Sequence, residues 1–316
     1  MKTLSSIVLG LALASSSFSG EKKQTTADHL QNVSVTIRAE GPYSAGEGSG
    51  VIFTRKDSKG NLVNFIWTAA HVVDNLRTER KVLVDGSPKT LVEFKDPVVI
   101  KEIRQNGRTV GRLQMDAEVL KYSESEKGHD LALLRVRKLN FVTDSVTFYL
   151  DKSIPPLGTD LLHVGSLLGQ MGANSMTDGI YSQHGRILKQ LNKHIFDQTT
   201  CTAFPGSSGG GVFLKHGTGG NTNPRYVGML VRGAGEGFNL IVPVRRMITY
   251  CEKHKIMWAL DAKVPMPTEE ELKKMSVENE PKPKEEVDDA KTEATKKMFP
   301  FMLRVTYPNL LIIKEK

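Results

Sequence analysis

From about Asn32 to Val244 the chain is a succession of short apolar runs closed by glycine, asparagine, aspartate, serine or proline, with no long helical pattern between them. Examples are "VSVTIRA" (33–39), "GSGVIFT" (48–54), "NLVNFIWTAAHVV" (61–73), "RKVLVDG" (80–86), "DAEVLKY" (116–122) and "DLALLRV" (130–136). "TDLLHVG" (159–165), "GGGVFLK" (209–215) and "RYVGMLV" (225–231) continue the series. Runs of this length, rich in Val, Ile, Leu and Phe and bounded by turn formers, read as strands. Many strands without intervening helices confine the fold to an all-β barrel or sandwich, and the length suits two small barrels. One helix follows. In "PVRRMITYCEKHKIMWAL", Val244, Met247, Ile248, Cys251 and Ile256 recur near one helical face, and Pro243 is tolerated in its first turn.

The two ends differ from this middle. Lys2, an apolar run from Ile7 to Leu13, and small residues from Ala14 to Gly20 have the layout of a signal peptide over residues 1–19, with Ser17 and Ser19 before the cut. The apolar run is too short to span a bilayer, and no other segment is long enough. The mature chain is therefore expected to be secreted or periplasmic, without an integral membrane segment. After Val264, "TEEELKKM" is a short polar helix with Thr268 and Glu271 in capping-box spacing. Residues 276–297, rich in Pro, Glu and Lys, read as a disordered linker, and 299–314 turn apolar again. Residues 261–316 thus read as a charged linker and an apolar tail. So much apolar surface is expected to dock, as a strand added to a barrel edge or as a pseudo-substrate in a cleft.

The formal charge of +8 is not gathered into a basic helix or an aromatic-interleaved strip, which argues for solubility rather than a nucleic-acid partner. Export permits a bridge between the only two cysteines, Cys201 and Cys251; two buried free thiols are the alternative. The eight histidines show no metal-ligand spacing, and neither HExxH nor CxxC occurs. No metal and no cofactor are expected.

"FPGSSGGGVF" (204–213) sets two serines among glycines. A serine hydroxyl is a weak nucleophile that needs a base, a carboxylate to orient the base, and donors for the oxyanion. Glycines let such a turn close tightly, so that the N–H groups of Gly206 and Ser208 can converge. His71 lies in "WTAAHVV", after an apolar strand and beside small residues. Asp130 lies in "HDLALL", at the mouth of another strand, where a half-buried carboxylate is costly unless paired. Singly, each has a structural explanation as core histidine, strand cap or turn serine. Together, the order His71, Asp130, Ser208 is one of the known chain orders of a catalytic triad.

The stretches "GSGVIF…TAAHVV…HDLALLRV…PGSSGG" resemble the trypsin-like, chymotrypsin-fold serine proteases, and are most similar to the HtrA/Deg branch. "HVGSLLG…TDGIYSQHGR" (163–186), "YVGMLVRG" (226–233) and "GFNLIVPV" (237–244) are similar to further stretches of that branch. The resemblance covers about residues 30–258. It implies two six-stranded antiparallel β-barrels, over 28–140 and 141–260, the second with a closing helix and followed by a partly disordered tail. It implies a serine endopeptidase acting on protein or peptide substrates, among them exported or misfolded proteins. His71, Asp130 and Ser208 would be catalytic, and Gly206 and Ser208 would form the oxyanion hole. Ser208 is preferred to Ser207 because the motif sets the nucleophile directly before Gly-Gly. The pocket would be lined by Thr202, Val231, Arg232, Gly233 and Asn239, with Arg232 turned into the cleft or out to solvent. Two departures stand out. Ser207 replaces the aspartate that pairs with a new N-terminus in digestive members. The roughly 58 residues after the closing helix are too few and too polar for the PDZ domain that the branch commonly adds. The alternative function is a catalytically idle binding module on the protease fold. An esterase with the same triad would need a strand–turn–helix setting that this chain lacks.

Overall fold

The computed structural model describes residues 24–84, 87–105, 107–188, 193–216, 224–233 and 235–278. The leader expected at 1–19 and the apolar tail at 299–314 lie outside the described residues. A short helix, α1 (Thr26–Asn32), opens them, capped by a Thr25/Asp28 box. Six strands then close into a first barrel: β1 (Ser34–Glu40), β2 (Ala45–Lys56), β3 (Leu62–Thr68), β6 (Val98–Gln105), β7 (Arg108–Ser123) and β8 (Leu131–Val136), in the order β1-β2-β3-β8-β7-β6. Between β3 and β6 come a short helix, α2 (Ala70–Val73), and a separate two-stranded sheet of β4 (Arg77–Val84) and β5 (Ser87–Phe94).

The second barrel is β9 (Asp160–Leu167), β10 (Gly172–Ile187), β11 (Ile195–Thr199), β12 (Gly211–Leu214), β13 (Tyr226–Gly233) and β14 (Asn239–Pro243), in the order β10-β11-β14-β13-β12-β9. Every pairing within both barrels is antiparallel. Closure removes the free edges that open sheets must protect. Strands such as β3 and β8 are buried almost along their whole length, because one face fills the barrel and the other packs on neighbouring segments.

Helix α3 (Val244–Lys253) follows β14 directly, with Pro243 at its N-cap. Its predicted face holds, since Val244, Met247 and Cys251 are buried, although Ile256 lies past the helix end. The chain then returns to the first barrel. Trp258 packs edge-on against Phe65, with ring centroids 4.9 Å apart, and Trp67 Nε1 donates to Ala259 O at 3.0 Å. A final helix, α4 (Glu269–Lys273), carries the expected Thr268/Glu271 capping box and buries Leu272. Beyond it, Tyr122 N donates to Val277 O at 3.0 Å, and Arg77 Nη2 donates to Glu278 at 2.9 Å. Docking therefore reaches three residues into the stretch read as linker. Cys201 and Cys251 are both free and buried, the second of the two arrangements left open above.

Candidate active site

The strand pairing brings His71 and Asp130 together. β3 pairs with β8 so that Thr68 stands opposite Ala132. His71 lies three residues past Thr68, on α2 rather than on the strand, and Asp130 two residues before Ala132. Ala69 and Ala70, both fully buried, let α2 turn tightly off the strand end. Asp130 takes a positive φ of 54°, a left-handed conformation that aspartate tolerates better than most side chains, and its N–H donates to Glu124 O at 3.1 Å. Its carboxylate is 1 % exposed. Oδ1 accepts the His71 backbone N–H at 3.2 Å, and both oxygens lie 3.0 Å from His71 Nδ1. Burial alone would raise the Asp130 pKa. The His71 charge and hydrogen bonds, with Arg232 beyond them, outweigh burial and hold it at about 2.

The second barrel supplies residues 204–210. Ser207 N donates to Phe204 O at 2.9 Å, with Pro205 and Gly206 at the corners and Gly206 at φ 94°. That is a type II turn, which places proline first and needs positive φ second. Each remaining amide of the loop can be followed to its acceptor. Phe204 N donates to Ser207 Oγ, Gly209 N to Leu230 O and Gly210 N to Ser207 O. Among the described residues, Gly206 N and Ser208 N alone in this loop have no protein acceptor. Gly206 and Ser208 are both half-buried, and two amide donors left without a protein acceptor in one turn, beside one serine, stand out. Ser207 is fully buried with its hydroxyl held inside the turn. Ser208 is half-buried, and its Oγ donates to Val231 O at 3.5 Å, not to His71.

The first barrel clamps this turn through Ser49, a residue the sequence reading passed over. Its N–H donates to Ser208 O, its Oγ donates to Gly206 O and accepts Ser166 N, and its carbonyl accepts Thr68 Oγ1, all at 2.7 Å. Glu47 holds the neighbouring loop by accepting Gln170 N at 2.8 Å, and Leu168 N of that loop donates to Pro205 O at 2.7 Å. The glycine-flanked serine of "GSGVIF" is the sequence sign of this contact. A Cβ on Gly48 would meet Val72 and lie 3.1 Å from Ser208 O.

The expected pocket residues divide. Asn239 is 2 % exposed, stands opposite both Thr199 and Gly233, and donates through Nδ2 to Cys201 O at 2.8 Å. That bond turns its Oδ1 toward Gly233, where a Cβ would overlap it. Thr202 is exposed, with its carbonyl accepting Thr177 Oγ1 at 2.8 Å. Val231 is buried and faces Ser208 through its carbonyl. Arg232 is not turned out to solvent. Its side chain is 15 % exposed; Nη2 donates to Ser125 O at 3.2 Å and stands 4.0 Å from Asp130 Oδ2, drawn by the buried carboxylate. Among the described residues no three His, Cys, Asp or Glu side chains gather as a metal site would require.

The sequence model of the trypsin-like peptidase domain matches residues 48–218, more than half of the chain. The chain belongs to the trypsin-like peptidase family. The match runs through the segments that carry His71, Asp130 and Ser208 of this trypsin-like peptidase domain. Among solved structures, "HtrA-type protease AlgW with tripeptide" aligns with a TM-score of 0.51 at 16 % identity, over 74 % of this chain and 64 % of that one. A serine-to-alanine variant of the same protease gives 0.52 at the same identity and coverage. The serine endoprotease from Yersinia pestis gives 0.48 at 19 % identity, over 74 % and 66 %. At such identities the likeness to AlgW is one of fold, and the chain spans about 64 % of that protein's length. No curated protein sequence matches the chain.

Proposed function

We propose that the protein is a serine endopeptidase that uses Ser208 as nucleophile, His71 as general base and acid, and Asp130 to orient the imidazole. The amides of Gly206 and Ser208 form the oxyanion hole. The observation that carries this reading is the pair of uncommitted amide donors in the turn of Ser208, next to a His71–Asp130 pair already hydrogen-bonded at 3.0 Å. Donors fixed in advance where negative charge develops contribute strongly to acyl transfer. Ser208 Oγ attacks the peptide carbonyl as its proton passes to His71 Nε2. The C–N bond breaks as that proton moves to the leaving amine. Water, deprotonated by the same imidazole, then attacks the acyl carbon, and the proton passes from the imidazole to Ser208 Oγ as the acyl–oxygen bond breaks. For the attack the Ser208 hydroxyl must leave Val231 O and turn to the imidazole, and catalytic hydrogen bonds are often long before substrate binds.

Thr202, Val231, Gly233 and Asn239 offer no carboxylate, so a buried substrate lysine or arginine would find no partner. Cleavage is expected after small or medium apolar residues; a preference for Lys or Arg in a peptide library would refute this. The leader-like N-terminus supports exported or misfolded proteins as substrates, in the periplasm or outside the cell.

A second reading, an idle binding module, draws on one observation: the Ser208 hydroxyl rests on Val231 O rather than on His71. An organophosphonate probe distinguishes the two. The endopeptidase reading expects covalent labelling of the native chain that Ser208→Ala abolishes. No labelling of the folded native chain would overturn it.

A further inference from the structure

We propose that Arg232 is a positioning residue for the His71–Asp130 pair: its guanidinium, bonded to Ser125 O, fixes the buried Asp130 carboxylate and, through it, the His71 imidazole. The proposal rests on the endopeptidase reading of the site. Its ground is geometric. Arg232 follows Val231 on β13, and its side chain crosses from the second barrel to the loop of the first barrel that ends in Asp130. There Nη2 is hydrogen-bonded to Ser125 O at 3.2 Å and faces Asp130 Oδ2 at 4.0 Å. Oδ2 is also 3.0 Å from His71 Nδ1, so one oxygen of a buried carboxylate lies between an imidazole and a guanidinium.

One effect follows. A buried carboxylate that is bonded to an imidazole and also faces a guanidinium, which is always charged, is held in place better than one bonded to the imidazole alone.

Other ionisable groups at this corner do not supply the same effect. Asp74, on the turn after α2, accepts Tyr122 Oη at 2.6 Å. Glu124 of the Asp130 loop is shifted upward, first by burial and then by Glu126, with Lys127 opposing. On the far side, the rings of His129 and His194 lie 4.3 Å apart. Burial, with Arg246 and Lys253 nearby, lowers them to about 3 and about 4, so both are neutral where an ordinary histidine titrates, near ~6.5. His254 is lowered too, by burial and then by Lys121 and Lys253.

The test measures kcat and KM in the full chain and follows the His71 imidazole by proton NMR, assigned by its loss in His71→Ala. Arg232→Gln removes the charge and keeps a donor for Ser125 O; Arg232→Lys keeps the charge. In Arg232→Gln kcat is expected to fall about tenfold or more with KM changed less than about twofold, and the His71 ring resonances to broaden, because the imidazole is less firmly held. Arg232→Lys is expected to keep most of the native kcat and sharp resonances. If Arg232→Gln does not fold, Arg232→Ser is the second neutral variant. Native kcat with native His71 resonances in the neutral variant overturns the proposal, as does a lysine variant as impaired as the neutral one. The resonances need no turnover. A native chain without hydrolysis would thus defeat the endopeptidase reading and leave the Arg232 test standing.

Discussion

A hydroxyl that donates to one carbonyl and accepts one amide, as Ser49 does between Gly206 and Ser166, satisfies two buried groups at once. Removing it leaves both without that partner, at a cost of about 1–3 kcal/mol. Because one of them belongs to the turn that carries the proposed oxyanion donors, the cost should also reach catalysis. Ser49→Ala is expected to lower thermal stability and to reduce kcat/KM about tenfold or more, since small misplacements of a catalytic group are expensive. Native kcat/KM in that variant would show that the turn holds its shape without the first barrel. The side chains of the candidate triad were legible in the sequence because each sits in a recognisable local setting, and their order completes the pattern. Ser49 was not, since its importance lies in hydrogen bonds to residues more than 110 positions away, which no spacing encodes. The orientation of Arg232 is not legible from the sequence either, because it depends on a carboxylate from the other barrel.

At the scale of elements, the loop 204–210 is held by its glycines as much as by its hydrogen bonds. Gly209 has φ 88°, and a Cβ there would overlap Ser49 O and Thr68 Oγ1 of the first barrel and stand 3.1 Å from Ala69 N. These are backbone or anchored atoms that cannot yield cheaply. Gly209→Ala is expected to destabilise the fold by about 2 kcal/mol or more and to abolish most hydrolysis. A variant with native Tm would mean that the barrels separate easily at this contact. Strands with a buried face were readable, β3 and β8 above all, because burial demands apolar residues. β4 and β5 were only partly readable. They form a two-stranded sheet outside the barrels, with Leu83 77 % exposed and Arg80 paired to Glu93 across the strands. The 16-residue β10 carries many polar side chains on its outward face and gives little apolar signal. Helix α1 went unread because it is seven residues long and buries only Leu30.

For the whole molecule, acid should act on the fold as well as on the chemistry. His163 is fully buried beneath the loop of Ser208. Its Nδ1 lies 3.0 Å from Gly211 O, and its pKa is lowered to about 4, by burial more than the Gly211 contact can offset. The unfolded chain takes up this proton near ~6.5, and the folded one does not until about 4. Stability is therefore unaffected by this group above ~6.5 and falls as pH drops below it, by about 1.4 kcal/mol per pH unit, until the folded pKa is reached. His129 and His194, also lowered, add to the same acid slope, so His163→Gln should reduce the total slope in denaturant titrations between pH 6.5 and 4 by about 1.4 kcal/mol per pH unit, and an equal slope would remove His163 as a contributor. The C-terminal segment contributes at the same scale. Leu272 is 3 % exposed, Val277 is bonded to Tyr122, and Glu278 is paired with Arg77, so residues 264–278 act as a strap on the first barrel. Truncation after Lys263 removes a buried leucine, worth about 1.5–3 kcal/mol, together with these bonds. Truncation after Glu278 spares them and deletes only the charged stretch and the apolar tail. The first should lower Tm by several degrees relative to the second. If the tail adds a strand, the second truncation also lowers Tm slightly below that of the full chain with unchanged hydrolysis. If it occupies the cleft, the same truncation raises hydrolysis. Equal Tm values for the two truncated chains would show that the strap does not support the barrel.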